Sequence, residues 1–181
     1  MLTIKLKSTK KPFLFAALLF ILLTGMGCGK SDQPKERDIG KLAPDFSLVS
    51  LDGQKLSRES LKGNVVILDF WATWCPPCRA AIPHLVELDR KYGPEGLVII
   101  GISLDRGGQD EVMKFAKENR ISYDLVMGTE NDILKAFGNI TSIPTIILLN
   151  QKSEIIFKAV GYNSDIAQTI DQKIAKLLRQ E

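Results

Sequence analysis

The run Val65-Val66-Ile67-Leu68-Asp69-Phe70-Trp71 is apolar but for one carboxylate, and it leads into Ala72-Thr73-Trp74-Cys75-Pro76-Pro77-Cys78. Its β-branched, uninterrupted character fits a strand buried on both faces, which needs a covering layer on each side. The stretch from Arg79 to Tyr92 reads as a helix. A buried strand feeding a helix through a Cys-X-X-Cys turn points to an α/β architecture. The turn also places the first sulfur at a helix N-terminus, where the partial positive charge favours thiolate over thiol. The thiolate is the attacking species in thiol–disulfide exchange, so the pair signals redox chemistry.

The flanking segments extend this pattern. Phe46 to Val49 and the Asp52-Gly53 turn suggest a short hairpin, and 97–102 a second buried strand. Between Gln109 and Asn119, Val112, Phe115 and Ala116 share one helical face. A short strand is expected over 123–126 and a short helix over 132–137, ended by Gly138. Segments 145–149 and 154–160 read as an antiparallel pair. Ile166, Ile170, Ile174 and Leu177 mark a last helix over about 165–179, with Ser164 as its N-cap. The expectation is one three-layer α/β/α domain over 42–181, with an N-terminal hairpin extension and a helix–strand insertion near its centre.

Residues 1–27 have the order of an export signal: Lys5, Lys7, Lys10 and Lys11, an apolar run from Phe13 to Leu23, then Gly25-Met26-Gly27. The run is shorter than the roughly 20 residues a spanning helix needs. Cys28 follows directly, and the segment resembles a bacterial lipoprotein signal in which Cys28 is the lipidation site. It departs from that pattern at Gly25, where leucine is usual. An uncleaved signal anchor and ordinary cleavage with a free thiol are the alternatives. Residues 1–27 hold four of the 24 basic residues and no acid, which leaves 20 basic residues against 21 acidic ones. Nothing in that balance suggests nucleic-acid binding. Residues 28–41 are polar and charged and read as a tether; its thirteen residues after Cys28 span roughly 20 Å if flexible.

Cys28, Cys75 and Cys78 are the three cysteines, so an exported chain has one lipid acceptor, one reactive pair and no disulfide framework. Structural zinc takes four Cys or His ligands. Beside the pair the chain offers the distant Cys28 and its single histidine, His84, so no metal site is expected. Cys75 stands first, at the exposed mouth of the turn, and is expected to attack; Cys78, one helical turn inward, is expected to resolve the mixed disulfide. Pro76 and Pro77 lack backbone N–H groups, which removes two donors from a Cys75 thiolate. A less stabilised thiolate lowers the potential, so the pair leans towards reduction. Asp69 is costly to bury and should have a raised pKa; the alternative is a strand-end carboxylate that reaches solvent.

Phe70 to Arg79 resembles the active-site segment of the thioredoxin superfamily, with Gly40-Lys41-Leu42-Ala43-Pro44-Asp45-Phe46 before it and Ile143-Pro144-Thr145 behind it. With the export signal and the helix–strand insertion, residues 40–181 look like the membrane-tethered TlpA/ResA-type thiol–disulfide oxidoreductases. The resemblance implies a thioredoxin-like fold and a Cys75–Cys78 redox disulfide in place of any cofactor. It implies that Asp69 passes a proton to and from Cys78. Many ResA-like chains carry a glutamate three residues after the second cysteine, where this chain has Ala81. The resemblance also implies a cis Ile143–Pro144 bond, with Ile143, Pro144 and Trp74 meeting the substrate. Pro83 matches the helix kink of thioredoxin, and His84 reads as a surface or half-buried helix residue. Expected partners are protein disulfides, among them apocytochrome c or its maturation factors, and a membrane thiol carrier as electron donor. The expected location is the extracytoplasmic side of a bacterial membrane, held by the lipid. Alternatives are a disulfide oxidant or isomerase, a thiol peroxidase, and a copper-binding module of the same fold. A peroxidase would want a proline seven residues before Cys75, where Leu68 stands.

Overall fold

The computed structural model describes residues 38–130 and 132–179. The expected export signal, Cys28 and the tether up to residue 37 lie outside the described residues. The chain runs β1 (Ser47–Val49), β2 (Lys55–Ser57), β3 (Val65–Trp71), α1 (Pro76–Tyr92), β4 (Leu97–Ser103), α2 (Gln109–Glu118), β5 (Asp124–Met127), α3 (Ile133–Ala136), β6 (Thr145–Leu149), β7 (Ile155–Val160) and α4 (Ser164–Leu177). β1 and β2 form the expected hairpin, and the others make a five-stranded sheet in the order β5-β4-β3-β6-β7. β4 pairs parallel with β3 and β5, while β6 pairs antiparallel with β3 and β7.

β3 is buried at every position because it is the centre of the sheet and both faces are covered. Its alternate residues divide between two cores. Val65, Ile67 and Trp71 face α1, α2 and α4, where they meet Leu85 and Leu88, Val112 and Ala116, and Ile170 and Ile174. Val66, Leu68 and Phe70 face the hairpin and α3, meeting Leu48, Leu56, Ile133 and Phe137. The second layer is thus supplied mainly by the N-terminal extension and a single helical turn. Asp69 falls in the same alternate set as Ile67 and Trp71, on the α1 side of the sheet.

Several boundaries differ from expectation for local reasons. α1 begins at Pro76, not Arg79, because proline is well tolerated in a first helical turn whose N–H groups have no intrahelical acceptor. The N-cap of α4 is Asn163 rather than Ser164: Asn163 is extended and its Oδ1 accepts from the Ile166 N–H at 2.9 Å. The C-terminal end of the expected tether is bonded to the sheet's edge. Gly40 N donates to Ile155 O at 2.7 Å, and Ile155 N donates to Lys41 O at 2.8 Å. Among the described residues no helix is long and apolar enough to cross a membrane.

Candidate active site

The parallel strands β3 and β4 end together, with Trp71 opposite Ser103, and β6 starts beside them, with Thr145 opposite Phe70. The Cys75 turn, the segment after β4 and the Ile143–Pro144 loop therefore emerge at one end of the sheet. Open α/β sheets place their working sites at the carboxyl ends of parallel strands.

Cys75 and Cys78 are joined, with S–S 2.09 Å and Cα–Cα 5.3 Å. Cys75 is the N-cap of α1, and its Sγ accepts one N–H, that of Cys78, at 3.3 Å. Pro76 and Pro77 fill the positions between, so no N–H comes from them. Both cysteines are buried in this disulfide form, Cys75 at 3% exposure and Cys78 at 0%. Cys75 at an exposed mouth is thus corrected: the first sulfur is the more accessible of the two by a small margin only. The group that stands in solvent is Trp74, 66% exposed. It borders an open groove of about 540 Å³ with Leu104, Arg106, Gly107 and Glu111.

The turn is clamped from β4. Asp105, buried, accepts from Thr73 N at 3.0 Å, from Thr73 Oγ1 at 2.6 Å and from Ser103 Oγ at 2.7 Å. Leu104 N also donates to Trp71 O at 2.8 Å. A buried carboxylate with this many donors fixes the backbone two residues before Cys75. Sequence reasoning did not single out Asp105, Thr73 or Ser103. Asp105 follows a strand as many exposed loop aspartates do, and its acceptor role depends on a residue 32 positions away.

Asp69 is 1% exposed, and neither carboxyl oxygen has a hydrogen-bond partner among the described residues. The solvent-reaching alternative is therefore overturned. Burial pushes its carboxyl up to about 7 from the ordinary 3.8. Ala81 is buried on α1, on the same side of the sheet as Asp69. The Ile143–Pro144 bond is cis; Pro144 O accepts from Gly161 N at 2.8 Å and Thr145 Oγ1 donates to Ser142 O at 2.6 Å. His84 is half-buried on α1, 6.2 Å from the Tyr162 ring between centroids, and burial lowers its pKa. No group of three or more His, Cys, Asp or Glu side chains among the described residues is placed to hold a metal ion.

The profile of the AhpC/TSA family matches residues 39–158. The chain belongs to this family. Among relatives, it is 29% identical over 157 residues to the thiol-disulfide oxidoreductase ResA of Bacillus cereus, covering 84% of this chain and 90% of that one. It is 33% identical over 150 residues to the thioredoxin-like protein YneN of Bacillus subtilis, covering 80% and 87%. A crystal structure of a thiol:disulfide interchange protein of the thioredoxin family from Chlorobium tepidum superposes with a TM-score of 0.66 at 34% identity, covering 76% of this chain and 95% of that one. The fold is thioredoxin-like and the protein is a ResA-type thiol–disulfide oxidoreductase, with Cys75 and Cys78 as its disulfide.

Proposed function

We propose that the protein is an extracytoplasmic reductant of protein disulfides, with Cys75 as nucleophile, Cys78 as resolving thiol and Asp69 as the proton acceptor for Cys78. The observation that carries this is that, among the described residues, one N–H reaches Cys75 Sγ at the head of α1, with a buried carboxyl that has no partner among those residues on the same side of the sheet. The Cys75 thiolate attacks one sulfur of the substrate disulfide; a mixed disulfide forms, and the first substrate thiolate leaves and takes up a proton. Asp69 takes the proton of the Cys78 thiol. The Cys78 thiolate then attacks Cys75 Sγ, the second substrate thiolate leaves and is protonated, and the enzyme is left with the Cys75–Cys78 bond. Two electrons pass to the substrate, and a thiol donor at the membrane restores the dithiol.

The donor count supports the reducing direction. An N-cap side chain ordinarily has the N–H groups of the second and third helical residues within reach; here the second is Pro77 and only Cys78 N–H serves. The reduced form is stabilised less, which favours giving electrons away. Ile143, Pro144 and Trp74 border the place where an extended substrate segment would lie, its backbone pairing with Ile143. Apocytochrome c or its maturation factors are the proposed substrates, and Cys28 the proposed lipid anchor on the outer side of the membrane.

Replacing Cys78 by serine tests the order of attack. The variant should accumulate a covalent adduct through Cys75 with substrate proteins, seen as a band lost on adding dithiothreitol, and mass spectrometry would identify what is attached. Adducts formed instead by the Cys75→Ser protein would reverse the two roles.

A further inference from the structure

Asp105 is a buried carboxylate to which the exchange chemistry gives no part, yet its hydrogen bonds lead to the turn of the nucleophile and to the end of β4 beside it. Oδ1 accepts from Thr73 Oγ1 at 2.6 Å and from Thr73 N at 3.3 Å. Oδ2 accepts from Thr73 N at 3.0 Å and from Ser103 Oγ at 2.7 Å. Ser103 Oγ in turn accepts from Asp105 N at 3.1 Å. Asp105, Ser103 and Thr73 are all buried, so these bonds lie away from solvent. Hydrogen bonds to an ionised acceptor are roughly twice as strong as those between neutral groups.

The clamp brackets the nucleophile. Thr73 is held to the end of β4 and α1 starts at Pro76, so only Trp74 and Cys75 lie between. Successive Cα atoms are about 3.8 Å apart, which keeps the held residue within roughly 7 Å of the Cys75 Cα. On the helix side Cys75 has three ties. Cys78 N donates to Cys75 Sγ at 3.3 Å, Arg79 N donates to Cys75 O at 3.0 Å, and the S–S bond is the third. Reduction breaks that third tie, and Pro76 and Pro77 bring no N–H to replace it. Within the turn Cys75 N donates to Ala72 O at 3.2 Å. Among the described residues, Asp105 is the one side chain from outside the turn that hydrogen-bonds to residues 72–75.

We propose that Asp105 is a positioning residue for the dithiol form. Through Thr73 it holds the turn, and with it Cys75 and Trp74, in the place from which Cys75 attacks once the S–S bond is open. This rests on the reading of Cys75 as the attacking thiol. In the attack the Cys75 thiolate bonds to one sulfur of the incoming disulfide, the old S–S bond breaks, and the other sulfur leaves as a thiolate. No proton or electron passes through Asp105. A sulfur already on the line of approach need not first order its own turn, and a misplacement of about 1 Å can cost on the order of a hundredfold. The segment that supplies Asp105 also lines the groove beside Trp74 with Leu104, Arg106 and Gly107. One strand end therefore holds both the nucleophile's turn and the wall of the groove next to it.

The attack is isolated in the full-length Cys78→Ser protein, in which oxidised glutathione should leave a stable mixed disulfide on Cys75. Thr73→Val removes the Oγ1 donor while keeping the side chain's shape and the charge of Asp105. Added to Cys78→Ser, it should slow formation of that adduct about tenfold at a temperature well below the melting transition. Thr73→Ser should restore most of the rate. A clamp that served stability alone would lower the melting temperature and leave the rate of the folded protein unchanged. That result would overturn the positioning role and leave Cys75 standing as the attacking thiol. No adduct in Cys78→Ser itself would overturn the assignment of Cys75, and the positioning role with it. The unmodified protein supplies a reading that does not depend on a variant folding. The Thr73 amide hydrogen should exchange slowly with solvent in both the disulfide and the dithiol forms; fast exchange in the dithiol would mean that the clamp opens with the S–S bond, contrary to the proposal.

Discussion

Asp69→Asn is expected to stabilise the protein strongly at neutral and alkaline pH while impairing its turnover. The carboxyl is pushed up to about 7 by burial, against an ordinary 3.8. Between about pH 4 and pH 7 the folded protein therefore keeps a proton that the unfolded chain has released. Stability falls as pH rises through that window, because the folded state then binds more protons than the unfolded one. Above pH 7 both states are ionised and the cost is complete. Three pH units correspond to roughly 4 kcal/mol, the penalty of ionising a buried carboxyl to which none of the described residues donates. Asparagine does not ionise, so it escapes the penalty, which for a domain of this size is worth about 10 °C in melting temperature at pH 8. The gain should vanish near pH 4. Thermal melts of the two proteins from pH 4 to pH 9 check this; a gap that stays constant with pH would mean that Asp69 does not titrate in the folded protein. On the proposed mechanism the same substitution also leaves Cys78 without its proton acceptor, so the more stable variant should be the slower one.

Cys75→Ser is expected to reduce insulin-disulfide reduction by on the order of a thousandfold or more, to the background of the added dithiol. Serine keeps the size and the cap position but not a nucleophile able to ionise near neutral pH. Cys78 remains in that variant, 0% exposed in the disulfide form, but on the proposed mechanism it resolves the mixed disulfide and does not open the attack. The comparison with Cys78→Ser is informative in kind: that variant should attack once and stay attached, whereas Cys75→Ser should not attach at all. Retained turnover in Cys75→Ser would mean that the reaction does not run through this pair.

How much of this was legible beforehand depends on the range of the interactions involved. β3, α1 and the cysteine turn were readable because the signals are contiguous: an apolar β-branched run, two cysteines and a helical stretch. The hairpin at Asp52-Gly53 and the β6–β7 pair were readable for the same reason. Asp69 could be flagged as anomalous, since a carboxylate in an apolar strand has few explanations; that no described residue hydrogen-bonds to it needed the packed structure. Asp105 was invisible, because its environment is assembled from the ends of β3 and β4, segments tens of residues apart. The accessibility of Cys75 was misjudged since its place in the chain says nothing of the core that packs around the disulfide. Asn163 and Ser164 are both competent caps, and the choice between them is made by the extended backbone of Asn163.

The central claim is that the pair at the head of α1 gives electrons away, because a single N–H supports the Cys75 sulfur. The equilibrium reduction potential of the Cys75–Cys78 disulfide, measured against thiol couples of known potential with the full protein, tests it most directly. A value in the range of thioredoxin, near about −270 mV, is the predicted result; a value near about −120 mV, that of a strong disulfide donor, would contradict it.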